Sequence, residues 1–221
     1  MDKKRSDKII EKLEELYPAA ECALKYEGDP WKLLIMAILS AQCTDARVNI
    51  ASGPLFERFP TARDMADAEV SEIEKYVKSC GLYRTKAKNL KASSEMLCER
   101  FNAVVPDTMD ELLMLPGVGR KIGNLILGDI FQKPAVVCDT HCIRLSGRLG
   151  YTDEGEKNPL KVERVLVKII PPEKQSDFCH RLVLFGRECC TARAPKCDLC
   201  PISSLCEHEK KNKSKKKEKR S

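Results

Sequence analysis

Apolar residues recur along the chain at intervals of three and four positions, which is the spacing of one helix face. Ile9, Leu13 and Leu16 form one such run near the N-terminus. A further helix is predicted to end at Gly81, and another to run from about Arg84 to Phe101. Polar capping residues predict five more helix starts; these are Asp29-Pro30 (helix to Gln42), Thr44-Asp45, Asp107-Thr108, Asn158-Pro159 (to Ile170) and Glu173 (to about Cys189).

The pattern leaves little material for a sheet, because the one strand-like stretch is Ala135–Val137. We therefore expect an all-α fold. The longest apolar run, Leu33–Leu39, is far shorter than the roughly twenty residues of a membrane span. The charged N-terminus also lacks the apolar stretch of a secretory signal. The expected location is the reducing cytoplasm, with no membrane contact.

The net charge of +6 lies mainly at the chain ends. Residues 207–221 hold eight Lys and Arg against three Glu, and residues 1–8 hold four against two Asp. The body of the chain is thus close to neutral, so the net charge alone is weak support for a DNA-binding surface. The lysine-rich segment 209–221 is expected to be a disordered tail.

Twelve cysteines are many for a chain in a reducing compartment, where thiols are more often metal ligands or buried residues than disulfides. Four of them, Cys190, Cys197, Cys200 and Cys206, follow the pattern C-x6-C-x2-C-x5-C. Thiolates select zinc or an iron–sulfur cluster, and the chemistry alone favours zinc because four-cysteine zinc sites are common. Four unrelated buried thiols are the alternative. The first loop of this segment carries Arg193 and Lys196, which suit a phosphate.

The sequence Leu115-Pro-Gly-Val-Gly-Arg-Lys121 lies between two predicted helices. Gly117 and Gly119 leave backbone N–H groups uncovered at the start of the second helix, which is a favourable anion site. One interpretation is a helix-hairpin-helix that binds a DNA phosphate through Gly117, Val118, Gly119 and Arg120. An ordinary turn between helices is the other. A P-loop is excluded because its spacing and preceding strand are absent.

Two residues near this turn suit chemistry on a cationic centre. Lys121 stands at the positive end of a helix dipole, which favours the uncharged amine that a nucleophile requires. Asp139 precedes a helical run from Cys142 to Leu149, where the dipole favours an ionised carboxylate. The simpler interpretations are a phosphate-binding lysine and an N-cap aspartate.

Taken together, these residues resemble endonuclease III, a family of DNA glycosylases with AP lyase activity in base-excision repair. The resemblance runs over about residues 5–208, and its matching segments are Leu39–Asp45, Gly81–Tyr83, Leu115–Lys121, Val137–His141 and the four-cysteine segment. It implies a [4Fe–4S] cluster rather than zinc. Three departures are visible: Gly123 where the family has Ala, Cys138 where a small apolar residue is usual, and Cys43 in place of Ala. Gly123 is expected to loosen the hairpin slightly.

The resemblance implies a six-helix domain with the hairpin over residues 22–134. Residues 1–21 and 135–208 would form a cluster domain, with a DNA cleft between the two. Lys121 would be the nucleophile, Asp139 the essential carboxylate, and Gln42 and Leu82 would fill the base stack when a damaged base leaves it. A monovalent cation at the hairpin is a further expectation.

The expected substrate is double-stranded DNA with oxidised or ring-saturated pyrimidines or abasic sites, bound by a monomer in the nucleoid. The strand would be nicked by β-elimination through a lysine Schiff base. A monofunctional mismatch glycosylase is one alternative, although such relatives lack a lysine at position 121. A non-catalytic DNA-binding module with a structural metal is the other.

Overall fold

Twelve α-helices and four short 3-10 turns make up the regular structure of residues 1–218, the part of the chain that the computed structural model describes. The expected all-α fold is confirmed, and Ala135–Val137 forms no strand. The helices are α1 (Lys3–Leu16), α2 (Pro30–Leu39), α3 (Asp45–Arg58), α4 (Ala62–Asp67), α5 (Val70–Val77), α6 (Tyr83–Arg100), α7 (Met109–Leu112), α8 (Arg120–Asp129), α9 (Thr140–Leu149), α10 (Pro159–Ile169), α11 (Gln175–Glu188) and α12 (Glu207–Glu218).

Most helix starts follow directly from their capping residues. The Asp29 carboxylate accepts hydrogen bonds from the amides of Trp31 and Lys32, and Thr44, Thr108 and Asn158 cap α3, α7 and α10 in the same way. These predicted starts are confirmed. The predicted end of α2 at Gln42 is wrong, because the helix ends at Leu39 and Gln42 adopts a left-handed conformation with φ 53°.

The sequence analysis missed α4, which has only six residues. Its start is a capping box: the Asp64 amide donates to Thr61 Oγ1 at 3.2 Å, and the Thr61 amide donates to Asp64 Oδ2 at 3.0 Å. A helix this short shows little apolar periodicity. The Thr-x-x-Asp spacing at its start was the available signal.

The chain divides into two units, one from Cys22 to Gln132 and the other from Met1 to Glu21 together with the chain from Lys133 onward. The sequence analysis placed the end of the six-helix domain at residue 134, close to the observed end at Gln132. We call them the continuous unit and the discontinuous unit. In the continuous unit, α2 is the core: eight of its ten residues are buried, and it packs on α3, α6 and α8. Within residues 1–218, no helix is long and apolar enough to cross a membrane.

Gly123 has a packing role in the continuous unit. It is buried on α8, and a Cβ atom there would lie 2.7 Å from Met109 Sδ on α7. The missing side chain lets the Met109 thioether pack directly against α8. Glycine lowers the stability of helix α8 relative to alanine, and the packing of Met109 against the helix partly offsets this loss.

The discontinuous unit is organised around α9 and α11, which pack together, with α1 on α11 and α10 and α12 on α9. Arg5 on α1 joins the two chain segments of this unit. Its guanidinium donates to the carbonyl oxygens of Leu149 (2.5 Å) and Leu205 (2.9 Å) and lies 2.9 Å from the Glu207 carboxylate. These contacts hold helix α1 against the C-terminal part of the chain.

Helix α12 extends to Glu218, into the lysine-rich segment 209–221, and the expected disorder of that tail stays a prediction. Glu207 and Glu209 lie in its first turn, where acidic side chains favour the helix dipole, and Lys210 pairs with Glu207 at 3.0 Å. Lysine is also a good helix former. Residues 219–221 of the predicted tail lie outside the described residues.

Replacing Gly147 by alanine should lower the stability of the protein. A Cβ atom at Gly147 would lie 2.8 Å from the backbone Cα of Glu154, which cannot swing aside, and such overpacking costs about 1–3 kcal/mol. Gly123→Ala is the matched control, because the Met109 thioether can move and alanine gains up to about 1 kcal/mol of helix propensity. Thermal denaturation should show a clearly larger loss for Gly147→Ala than for Gly123→Ala. Equal melting temperatures would contradict the packing argument.

Candidate DNA-repair site and iron–sulfur segment

The turn between α7 and α8 is held by α6. Gly117 has φ 82°, and a Cβ atom there would lie 2.9 Å from Asn89 Nδ2 on α6, so both the conformation and the space require glycine. Ser93 Oγ on the same helix donates to the Pro116 carbonyl oxygen at 2.6 Å. The predicted hairpin is therefore a braced turn with one fixed conformation.

The start of α8 is open to a ligand. Gly119 is its N-cap residue, and no side chain of the described residues caps the helix. Gly119, Arg120 and Lys121 are exposed, and the first turn carries no acidic residue. Backbone N–H groups and the helix dipole thus favour an anion here.

Val118 differs from its neighbours in the turn. Its side chain is only 8% exposed, and its amide donates to the Leu115 carbonyl oxygen at 3.0 Å. Val118 therefore anchors the turn from inside, and its N–H group is already used. The exposed positions of the hairpin are Gly117, Gly119 and the start of α8.

Lys121 lies on the first turn of α8 with an exposed side chain. Within residues 1–218 its ammonium group forms no ion pair or side-chain hydrogen bond. An unpaired lysine at a helix N-terminus is electrostatically unfavourable, because the dipole repels its charge.

Gln42 and Leu82 lie in two exposed turns of the continuous unit. Both adopt left-handed backbone conformations, with φ 53° and φ 46°, which cost free energy in residues other than glycine. Leu82 is also 58% exposed. A strained, exposed apolar side chain suggests a contact with something outside the chain.

Asp139 belongs to the discontinuous unit and is the N-cap of α9. Its Oδ1 accepts a hydrogen bond from the Cys142 amide at 2.7 Å, and its side chain is half-buried. The capping interpretation is therefore confirmed. It does not exclude a catalytic role, because the cap uses one carboxylate oxygen and orients the other.

The residue beside Asp139 is uncharged. The sulfur atoms of Cys138 and Cys142 lie 4.0 Å apart, and the hydrogen bond between the two thiols together with burial raises the pKa of Cys138 well above its usual range. Cys138 therefore stays a neutral thiol at physiological pH. The departure from the family at this position adds no charge next to the carboxylate.

The cysteine segment follows α11 and surrounds a small, partly open cavity of about 20 Å³. Cys190, Cys197, Cys200 and Cys206 all line this cavity, and so does Cys189. Burial raises the pKa of Cys197 to about 11 and that of Cys200 to about 12. These thiols must release their protons when they bind a metal as thiolates.

The donor set fits a soft metal centre. Four thiols that line one cavity are the ligands that iron–sulfur clusters and zinc both use, so the donor chemistry alone does not choose between them.

Two arginines of α9 position the first ligand loop. Arg148 donates to Cys190 Sγ at 3.3 Å and to the Thr191 carbonyl oxygen at 2.7 Å. Arg144 donates to the carbonyl oxygens of Gly186 and Cys190 at 3.2 and 3.1 Å. Arg193 and Lys196 stand exposed on the same loop. The sequence analysis missed Arg144 and Arg148, whose only signal was their four-residue spacing on α9.

Comparison with known proteins identifies the family to which the chain belongs. The family of HhH-GPD superfamily base excision DNA repair proteins matches residues 35–172, and the iron-sulfur binding domain of endonuclease III matches residues 190–206. Endonuclease III of Synechocystis is 43% identical over 92% of both chains. The Bacillus subtilis protein is 40% identical over 94% of both, and that of Escherichia coli K12 37% over 96% of this chain and 99% of its own. The chain belongs to the endonuclease III family.

Solved structures of this family agree with the assignment. A trapped endonuclease III–DNA covalent intermediate superposes with a TM-score of 0.90 at 40% identity, over 96% of this chain and 99% of the other. A thermostable thymine-DNA glycosylase shares the fold, with a TM-score of 0.86 at 24% identity, over 94% and 98%. The iron–sulfur match covers all four predicted ligands, so the cofactor is a [4Fe–4S] cluster. The zinc suggested by chemistry alone is corrected.

Asparagine and alanine at position 139 should separate capping from chemistry. Asparagine caps a helix as well as aspartate, so Asp139→Asn should keep the stability within a few tenths of a kcal/mol. Asp139→Ala removes the bond to the Cys142 amide and should cost about 1 kcal/mol. Urea denaturation measures both values. A loss of equal size in the two variants would show that the charge, and not the cap, stabilises α9.

Proposed function

We propose that Lys121 and Asp139 carry the reaction of this enzyme, which is a base-excision repair DNA glycosylase with AP lyase activity. The observation that carries the proposal is the exposed, unpaired Lys121 on the uncapped first turn of α8. A lysine without an ion pair at a helix N-terminus adds little to stability, and its amine is a nucleophile that can attack carbon. The family to which the chain belongs supports the same reaction.

The proposed reaction has two steps. The Lys121 amine attacks C1′ of the damaged nucleotide, the base leaves with the electron pair of the glycosidic bond, and a Schiff base forms on the opened sugar. Loss of a C2′ proton then expels the 3′ phosphate by β-elimination and nicks the strand. Asp139 accepts a proton from the lysine or stabilises the positive sugar with its carboxylate. Its hydrogen bond from the Cys142 amide fixes the carboxylate for this purpose.

DNA contacts are proposed for the exposed residues of both units. The hairpin glycines and Arg120 would hold a phosphate, together with a monovalent cation. Gln42 and Leu82 would fill the stack that a flipped nucleotide leaves, which offsets the few kcal/mol of extrusion. Arg193 and Lys196 would add phosphate contacts next to the cluster.

The proposed substrates are duplexes with oxidised or ring-saturated pyrimidines, and abasic sites. We propose that the enzyme binds them as a monomer in the cytoplasm, associated with the nucleoid. A product profile over a panel of damaged duplexes tests the lesion class, which no residue of the described site fixes by its spacing.

We propose Cys190, Cys197, Cys200 and Cys206 as the four cluster ligands. The [4Fe–4S] cluster, when bound, ties the loops of this segment together, so its role is structural. The hydrogen bond from Arg148 to Cys190 Sγ supports Cys190 as the first ligand, because ligand sulfurs commonly accept such bonds. Cys189 is the neighbouring alternative.

Borohydride trapping tests the nucleophile, because it reduces a Schiff base to a stable amine. The wild-type enzyme with abasic or thymine-glycol duplex and borohydride should give a covalent protein–DNA adduct. Lys121→Gln should still bind the duplex, since one lost contact costs about 1–3 kcal/mol, but should give no adduct. Arg120→Gln is the matched control: its binding should weaken, and its adduct should still form.

Other outcomes of the trapping experiment would identify the error. If Lys121→Gln traps as much as the wild type, another amine is the nucleophile. If no variant traps but all release bases, the enzyme is a monofunctional glycosylase. Asp139→Asn should bind normally and release bases far more slowly, because its amide takes no proton and carries no charge.

Serine substitutions test the ligand assignment. The protein purified without air should be yellow-brown, as thiolate-bound iron is and zinc is not. Cys190→Ser should lose the colour and the iron, while Cys189→Ser keeps both. Visible absorbance and iron analysis measure the result. Iron retained in Cys190→Ser and lost in Cys189→Ser would move the first ligand to Cys189.

A further inference from the structure

The turn that presents Leu82 is strained at two successive residues. Gly81 has φ 67° and ψ 159°, a backbone region that only glycine adopts readily, and Leu82 has φ 46°. Leu82 is the N-cap residue of α6, and among the described residues no side chain caps this helix. The turn therefore lacks the local hydrogen bond that usually fixes a helix start, although it carries an exposed leucine.

Lys86 holds this turn from the next turn of α6. Its amide donates to the Leu82 carbonyl oxygen at 3.0 Å, and its side-chain Nζ donates to the Cys80 carbonyl oxygen at 2.7 Å. One residue thus binds the backbone on both sides of Gly81. Cys80 ends the 3-10 turn Lys78–Cys80, which packs on α3 and α5, so the bond from Nζ ties the exposed turn to the buried part of the unit.

The ammonium group of Lys86 makes this bond in an unfavourable environment. Its side chain is only 3% exposed, and across the described part of the chain no carboxylate pairs with it. Burial lowers the pKa of Lys86, because the charged form loses its hydration. The group also stands near the start of α6, where the helix dipole repels a cation. Lys86 is therefore poorly suited to stabilise the core and well placed to hold the turn.

The face of α6 that holds the turn also braces the hairpin. Asn89 and Ser93 stand three and seven positions after Lys86, which places all three on one helix face. Asn89 lies against Gly117, and Ser93 Oγ donates to the Pro116 carbonyl oxygen at 2.6 Å. The turn before α6 and the turn before α8 are thus both fixed on a single helix.

We propose that Lys86 is a positioning residue for Leu82, because it holds the strained turn in the conformation that presents the leucine side chain to the base stack. This inference rests on the proposed role of Leu82 in filling the stack. With the turn fixed, the leucine is already ordered when the nucleotide leaves, and its distance from the hairpin is set in advance. Without the bond to the Cys80 carbonyl, the strained turn relaxes and the leucine samples other positions.

Lys86→Met tests this role, because methionine fills nearly the same space without a donor. The melting temperature should stay within about 4 °C of the wild type, since removal of a buried charge offsets the lost bond. Hydrogen exchange of a peptide that covers residues 80–88 should become severalfold faster. Single-turnover base release from a thymine-glycol duplex should fall about tenfold, because misplacement of a positioning group by about 1 Å can cost about a hundredfold.

Lys91→Met is the matched control. Lys91 lies on the same helix, and its Nζ also donates to a backbone carbonyl, that of Ala66 on α4, at 2.6 Å. Its replacement should leave base release and exchange at the Leu82 turn unchanged. Lys86→Arg keeps a cation for the Cys80 carbonyl and should restore part of the rate. If Lys86→Met does not fold, Lys86→Gln takes its place in every measurement.

A double-mutant cycle separates positioning from a general structural role. Leu82→Ala alone should slow base release, and adding Lys86→Met should change that rate by less than about twofold, because no leucine remains to be positioned. A further loss of about tenfold in the double variant, or unchanged exchange at the turn in Lys86→Met, would overturn the proposal. A wild-type rate in Leu82→Ala would also overturn it, and would show that the error lies in the role of Leu82 and not in the contact of Lys86.

Discussion

Unsatisfied backbone N–H groups at helix starts are the constraint on which both halves of the proposed chemistry depend. Each α-helix begins with amides that have no partner within the helix. At α9 the Asp139 carboxylate accepts a hydrogen bond from one of them, the Cys142 amide. At α8 no described side chain does so, and the amides remain available to an anion. The same physical feature thus orients a carboxylate in one place and opens a phosphate site in the other.

The space around α8 is as important as its charge. Gly117 allows the backbone to approach Asn89, and Gly123 allows the Met109 thioether to pack against the helix. Ser93 fixes the turn through the Pro116 carbonyl. The exposed side of the hairpin stays uncovered because its other side is firmly packed. Lys121 can then occupy an unfavourable position without loosening the fold.

Local hydrogen bonds made much of the fold predictable from sequence. The caps at Asp29 and Thr44 are short-range interactions, so these residues mark the helix starts in the sequence. The end of α2 was predicted too late, since the backbone turns at Gln42 only in the folded unit. Short helices carry no apolar period, and this is why α4 was not predicted.

The candidate site was predictable only as far as its motifs reach. Lys121, Asp139 and the four cysteines came from spacing and resemblance, and they remain assignments that the proposed experiments test. Arg148 could not be found this way, because its partners lie more than forty residues away in the chain. Sequence also does not show that the Val118 side chain is buried or that its amide is already used within the turn.

The contacts of Arg5 set the order in which the protein can be made. A chain emerging from the ribosome folds its units as soon as they are complete, at about 5–20 residues per second of synthesis. The unit from Cys22 to Gln132 is complete once its last helix has emerged. Helix α1 appears first but must wait for Leu205 and Glu207, its partners at the end of the chain. Its apolar face, with Ile9 and Leu13, can be covered only after its packing partner α11 has also emerged.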